Sequence, residues 1–198
     1  MTTTASSLEK LISHFKDHTQ FPIEINEIKD WIVNEGYQEE INFIPFENDN
    51  SILKGFIRMY ERQTGVYSDS NRVSDIHYSK NMSECWQRTV CCKEMVHILD
   101  SVESRTSTQK EIQDLTFNLC SQFDGYSNKA VLADKAALLP ALRILAPIAK
   151  IEQLREAYQE KTKNDYDIAA FFRIPKFYIP IMMSENYKNL ISCIDNNS

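Results

Sequence analysis

Leu8, Leu11, Ile12 and Phe15 recur at i, i+3, i+4 and i+7, the spacing that lays apolar side chains along one helix face. Ser6 and Glu9 form a capping-box pattern at the head of that run, so the spacing predicts a helix opening at Ser6. A second helix follows near Asn26, with Ile28, Trp31 and Ile32 turned inward and Gly36 as its stop. The period then shortens. Ile41 to Phe46, Ile52 to Tyr60 and Val66 to Tyr78 read as extended segments, with Gln63-Thr64-Gly65 as a turn between the last two. Ile52, Phe56 and Tyr60 share one parity, and Leu53, Ile57 and Met59 the other, which predicts cover on both faces of that strand.

From Ser83 onward the pattern is helical. Ser83 suits an N-cap, and Glu84 to Leu99 contains neither Gly nor Pro. Thr108 caps a predicted helix over Gln109 to Phe123, and Asp124 to Asn128 form a loop. Further helices are predicted at Ala130 to Leu145 with a break near Pro140, Pro147 to Lys161, Tyr166 to Phe172 and Pro175 to Ile194. Only 4 Gly and 6 Pro in 198 residues leave little material for tight hairpins. The expected fold is α+β and helix-rich: a small N-terminal sheet of about three strands in residues 1–124, and a helical C-terminal part in 125–198 packed with it as one unit.

Charge and cysteine usage narrow the function classes. Lys plus Arg number 22 against 28 Asp plus Glu, a net charge of −6, so the chain lacks the basic face that nucleic-acid binding through bulk charge requires. The N-terminal residues show no basic segment followed by an apolar run, and no apolar stretch approaches the ~18 residues of a membrane helix. The 5 cysteines form an odd set without CxxC spacing, which suits reduced thiols. The expected setting is cytoplasmic, with no membrane partner.

The segment richest in candidate chemistry is Cys92-Lys93-Glu94-Met95-Val96-His97-Ile98-Leu99-Asp100. On a helix Lys93 and His97 share a face, with Glu94 beside them. This is the layout of the zinc-peptidase motif HExxH, in which two histidines hold the metal and the glutamate polarises water. Here Lys93 occupies the first histidine position. A bare ExxH also occurs in many helices as an ordinary structural pattern.

The order of helix, strands ending in Ile76-His77-Tyr78-Ser79, and a helix running from Trp86-Gln87-Arg88 into Lys93-Glu94-Met95-Val96-His97 resembles the ImmA/IrrE family of metallopeptidases. Members of that family cleave phage repressors or stress-response regulators. Their third metal ligand lies on a following helix in a pattern like E-x-x-A-[DN]-x-F-A. Glu111-Ile112-Gln113-Asp114-Leu115-Thr116-Phe117 keeps the glutamate and the phenylalanine but shifts the positions between them. Ala136-Ala137-Leu138-Leu139-Pro140 is similar to a later family segment, and Asp167 to Ile179 to its closing helix pair. The resemblance runs from about Phe21 to Tyr187 and implies a zincin-like motif helix, with Glu94 as general base and His97 and Glu111 as ligands in an active member.

Lysine changes that chemistry. Its amine, with an ordinary pKa near 10.4, is protonated at neutral pH and has no lone pair for a metal. Two unit positive charges 4 Å apart repel by about 4 kcal/mol even at an effective dielectric of 20. The expectation is therefore a pseudo-active site of Lys93, Glu94, His97 and Glu111 without metal or cofactor, the ammonium standing in the place of zinc and held by a Lys93–Glu111 ion pair with Glu94 as a further partner; the plain alternative is that Lys93 is a solvated helix residue. The corresponding function is a catalytically degenerate peptidase-fold protein binding a regulatory protein, such as a phage-type repressor. The alternative is an active zinc metallopeptidase using Glu94, His97 and Glu111, and lacking one of the usual three protein ligands.

Other candidates carry less. Cys91 and Cys92 point about 100° apart on a helix, which suggests one core thiol and one neighbour. His77 either approaches His97 or is a half-buried structural histidine. His14 and His18 stand at i, i+4, and Asp100 and Glu103 follow the motif helix as a charged loop or acidic rim. Ala169 to Ile179 superficially resembles a helix-turn-helix, but its few basic residues and its Phe171, Phe172, Phe177 and Tyr178 favour packing or a protein partner over phosphate.

Overall fold

The computed structural model describes residues 6–47, 54–63, 65, 70–99 and 137–197. In chain order the elements are α1 (Ser7–Lys16), α2 (Ile25–Asn34), β1 (Glu40–Phe46), β2 (Gly55–Gln63), β3 (Ser70–Ser79), α3 (Glu84–Val96), α4 (Leu138–Leu145), α5 (Ile148–Gln159), α6 (Asp165–Phe172), α7 (Ile179–Met182) and α8 (Glu185–Asn197). The architecture is α+β, with an N-terminal sheet and a helical C-terminal portion. Two units can be separated, one made of Met1–Glu24 with Leu142–Ser198 and the other of Ile25–Ala141. The boundary expected at 124/125, the helix expected over 109–123 and the loop at 124–128 lie outside the described residues. No helix among the described residues is long and apolar enough to cross a membrane.

In the Ile25–Ala141 unit, α2 buries Ile28 and Ile32, while Trp31 is half-buried and stacks on Tyr37. Gly36 takes φ +75 just past the helix, a conformation that glycine reaches without steric cost. The sheet has the order β1-β3-β2, with β1 parallel and β2 antiparallel to the central β3. Arg72 at the start of β3 fixes the turn between α2 and β1: its guanidinium donates 2.7 Å bonds to Gly36 O and to Glu39 Oε1. That pairing holds the Glu39 carboxyl below its usual range.

Which face of the sheet meets α3 is settled at Gly55. This residue lies opposite Tyr78, and a Cβ there would fall 2.4 Å from Val90 Cγ1 and 2.7 Å from His77 O. Only hydrogen fits. Because side chains alternate along a strand, Gly55, Ile57, Ile76 and Tyr78 face α3, whereas Phe56 and His77 project from the other side.

In the other unit α1 opens as its sequence predicts: Ser6 and Glu9 bond each other's backbone amides, and Leu11 and Phe15 are buried. An equivalent box, Asn164 with Asp167, opens α6. Of the helix expected over 130–145 with a break near Pro140, the described part is α4, with Ala137 in a turn before it and Pro140 in its first turn, where its missing N–H has no intrahelical acceptor to lose; residues 130–136 lie outside the described residues. One expectation needs correction. The single helix expected from Pro175 to Ile194 is instead a 3-10 turn (Lys176–Tyr178), α7 and α8. Ser184 divides them. Its hydroxyl donates to Ile181 O at 2.7 Å and accepts from Tyr187 N at 3.2 Å, ending one helix and capping the next. Buried Arg155 on α5 holds the same joint, donating to Met183 O and pairing with Glu152 at 2.7 Å.

Candidate functional site

The motif helix α3 starts at an exposed Glu84 and runs inward. From Arg88 to Ile98 every residue is buried except Lys93, whose side chain is still only 13% exposed. Arg88, Cys91, Glu94 and His97 follow one another at intervals of three, so polar groups run along a helix buried on nearly every side. At the N-terminus Ser83 makes no side-chain cap; Gln87 serves the preceding loop, its Nε2 donating to Met82 O at 2.9 Å.

Lys93 and Glu94 meet at the C-terminal end of α3, and the Lys93 ammonium lies 2.9 Å from Glu94 Oε1. The Glu94 side chain is 3% exposed, so its charge is compensated by an ion rather than by water. Adjacent helical residues diverge by about 100°, and the two side chains meet only by folding toward each other. The result is a close charge contact that leaves Oε1 without an aligned hydrogen bond among the described residues. His97 begins a 3-10 turn, His97–Leu99, directly after α3 and is 8% exposed. Glu111, the principal partner expected for Lys93, lies outside the described residues, as do Asp100 and Glu103.

The neighbouring cysteines are both core thiols, contrary to the expected split between one buried thiol and one neighbour. Cys91 is 6% exposed and Cys92 fully buried, with Cys92 Sγ donating to Ala141 O at 3.7 Å. Helix α3 has no solvent side here, so a 100° difference in direction carries neither thiol outward. Burial, reinforced by the Glu94 charge, pushes the Cys91 thiol up to about 12, and burial raises Cys92 as well. Neither is a thiolate at neutral pH, so neither acts as nucleophile or soft metal ligand without a change of surroundings. Tyr78, reaching toward Cys91 from β3, is likewise held above its usual range, chiefly by burial.

His77 is not brought to this site. His77 lies on the sheet face turned away from α3 and stacks on Phe56, with ring centroids 4.5 Å apart and planes 8° from parallel. Partial burial holds its pKa below the usual value, partly opposed by Asp75. His14 and His18 do not form a helical pair, because α1 ends at Lys16; both rings pack against Phe15 instead. In the segment that resembled a helix-turn-helix, Phe172 is buried, while Phe177 stands 69% exposed.

Among the described residues no group of three His, Cys, Asp or Glu side chains is arranged to hold a metal. His97 and Glu94 supply donors on this helix, but the ammonium beside Glu94 offers only N–H donors. As it stands the cluster can neutralise a buried carboxylate and present a cation at its rim. Sequence reasoning missed Arg88 and Tyr78 as parts of this polar core. The repeat of three from Arg88 to His97 was the available signal, since it lines up ionisable groups beside Val90, Cys92, Met95 and Val96 on the same segment.

Comparison with protein-family models, curated proteins and solved structures finds no match to this chain.

Proposed function

We propose that this chain is a catalytically degenerate, ImmA/IrrE-like peptidase-fold protein that binds a regulatory protein, such as a repressor or transcriptional regulator, without cutting it. The carrying observation is the Lys93 ammonium 2.9 Å from the buried Glu94 carboxylate. A glutamate that activates water needs an open side and a Lewis acid next to it; this one has an ammonium against it and almost no exposure. The order of three-stranded sheet followed by a buried motif helix supports the same reading. The site is read as a fold-stabilising remnant, and partner recognition as the retained activity.

Metal analysis of the purified full chain tests this. Wild type is expected to hold far less than one equivalent of zinc after mild chelation. Lys93→His, which restores an imidazole at the first motif position, is expected to gain about one. Candidate helix-turn-helix regulators are expected to co-elute with wild type and remain intact. One tightly held equivalent of zinc in wild type, with proteolysis abolished by Glu94→Gln, would overturn the proposal in favour of an active zinc peptidase.

A further inference from the structure

A cavity of about 750 Å³ opens where the end of α5 meets the start of α6, lined by Tyr158, Lys161, Lys163, Tyr166 and Met183 among others. That volume lies in the range of small-molecule sites, roughly 300–1,000 Å³. Gln159 and the Asp165 carboxylate also line it, and two of its polar groups are already engaged. Asp165 Oδ1 accepts from the Tyr158 hydroxyl at 2.8 Å, and Asn164 Oδ1 accepts from the amides of Tyr166 and Asp167. Two kinds of surface dominate the rest of the wall. The first is aromatic and soft: Tyr158, the 69% exposed ring of Tyr166, and Met183. The second is cationic: no ion pair among the described residues engages the ammonium of Lys161 or Lys163. Lys176 lies 3.9 Å from the Tyr166 ring centroid and adds a third positive charge at this edge.

Lys161 is also held at φ +61, the position after a helix end that glycine ordinarily fills. A side chain is thus carried at the cavity wall where none would be easier to accommodate. Flat rings stack on exposed tyrosine faces, and lysine ammoniums recognise carboxylate or phosphate as point charges.

From this juxtaposition we infer that the cavity is a binding site for a small planar aromatic anion, its ring against Tyr166 and Tyr158 and its charge against Lys161 and Lys163. The inference is independent of the peptidase-like reading, because every residue it uses lies in the other unit.

Calorimetric titration of the full chain with indole-3-acetate and with adenosine 5′-monophosphate tests it and separates carboxylate from phosphate bearers. Tryptamine serves as the cationic ring and inorganic phosphate as the ringless anion. At least one aromatic anion is expected to bind saturably with Kd below 1 mM. That affinity should fall at least tenfold in Lys161→Gln/Lys163→Gln and again in Tyr166→Ala, all exposed positions. Equal binding of tryptamine, indifference to the lysine substitutions, or no saturable binding of either anion would overturn the assignment.

Discussion

Replacing Lys93 by methionine removes the charge that compensates Glu94 while keeping an unbranched apolar stem of similar volume. At 2.9 Å and an effective dielectric of 20, the lost attraction is about 6 kcal/mol before solvation is counted. Desolvating both ions offsets part of this, and breaking buried pairs from one side costs about 3–5 kcal/mol. Lys93 still reaches solvent with 13% of its side chain, which places the expected loss near the lower limit, about 3 kcal/mol. A single substitution also disturbs the packing of the lysine stem, so the informative measurement is a double-mutant cycle. Wild type, Lys93→Met, Glu94→Gln and the double variant are unfolded in urea at fixed pH and ionic strength and followed by circular dichroism. The double variant should be more stable than the sum of single losses allows, with a coupling energy of about 2 kcal/mol. A coupling below about 0.5 kcal/mol would refute the claim that the ammonium neutralises Glu94, and the pseudo-active-site argument with it.

Gly55→Ala should destabilise the sheet–helix seam by about 1–3 kcal/mol in chemical denaturation, because the new methyl meets a backbone oxygen as well as Val90. Val90→Ala in the same chain should restore only part of the loss. His77 has a folded-state pKa below its unfolded value, so its stabilising contribution is complete above about pH 6.5 and disappears as pH falls through the folded value. His77→Phe should therefore flatten the decline of stability below pH 6.5; an unchanged slope would show that His77 is not its source. Exposed Cys193 should react with a disulfide reagent at pH 8, while Cys91 and Cys92 stay unmodified until urea unfolds the chain. Modification of either core thiol in the native protein, mapped by mass spectrometry, would contradict their burial.

Local chemistry was enough to fix much of the secondary structure. The Ser6–Glu9 box, the apolar spacing behind it and the Gly36 stop are interactions among residues a turn apart, so α1 and α2 were legible from the chain alone. So was the existence of three strands, because alternation is a property of each segment. The division of Pro175 to Ile194 was harder to read: the apolar pattern continues across Ser184, and the two bonds made by its hydroxyl outweigh that continuity.

The candidate site divides in the same way. Helical spacing alone placed Lys93, Glu94 and His97 together, since residues three and four apart on a helix must be neighbours. Tertiary packing decided that this helix has almost no solvent face, that both cysteines are core, and that His77 looks away from α3. Those outcomes depend on Gly55 admitting α3 to one side of the sheet, a contact between residues 35 positions apart that no local pattern encodes. Sequence determines what each segment can form; which charge lies buried, and beside what, is set only when distant segments close over it and exclude water.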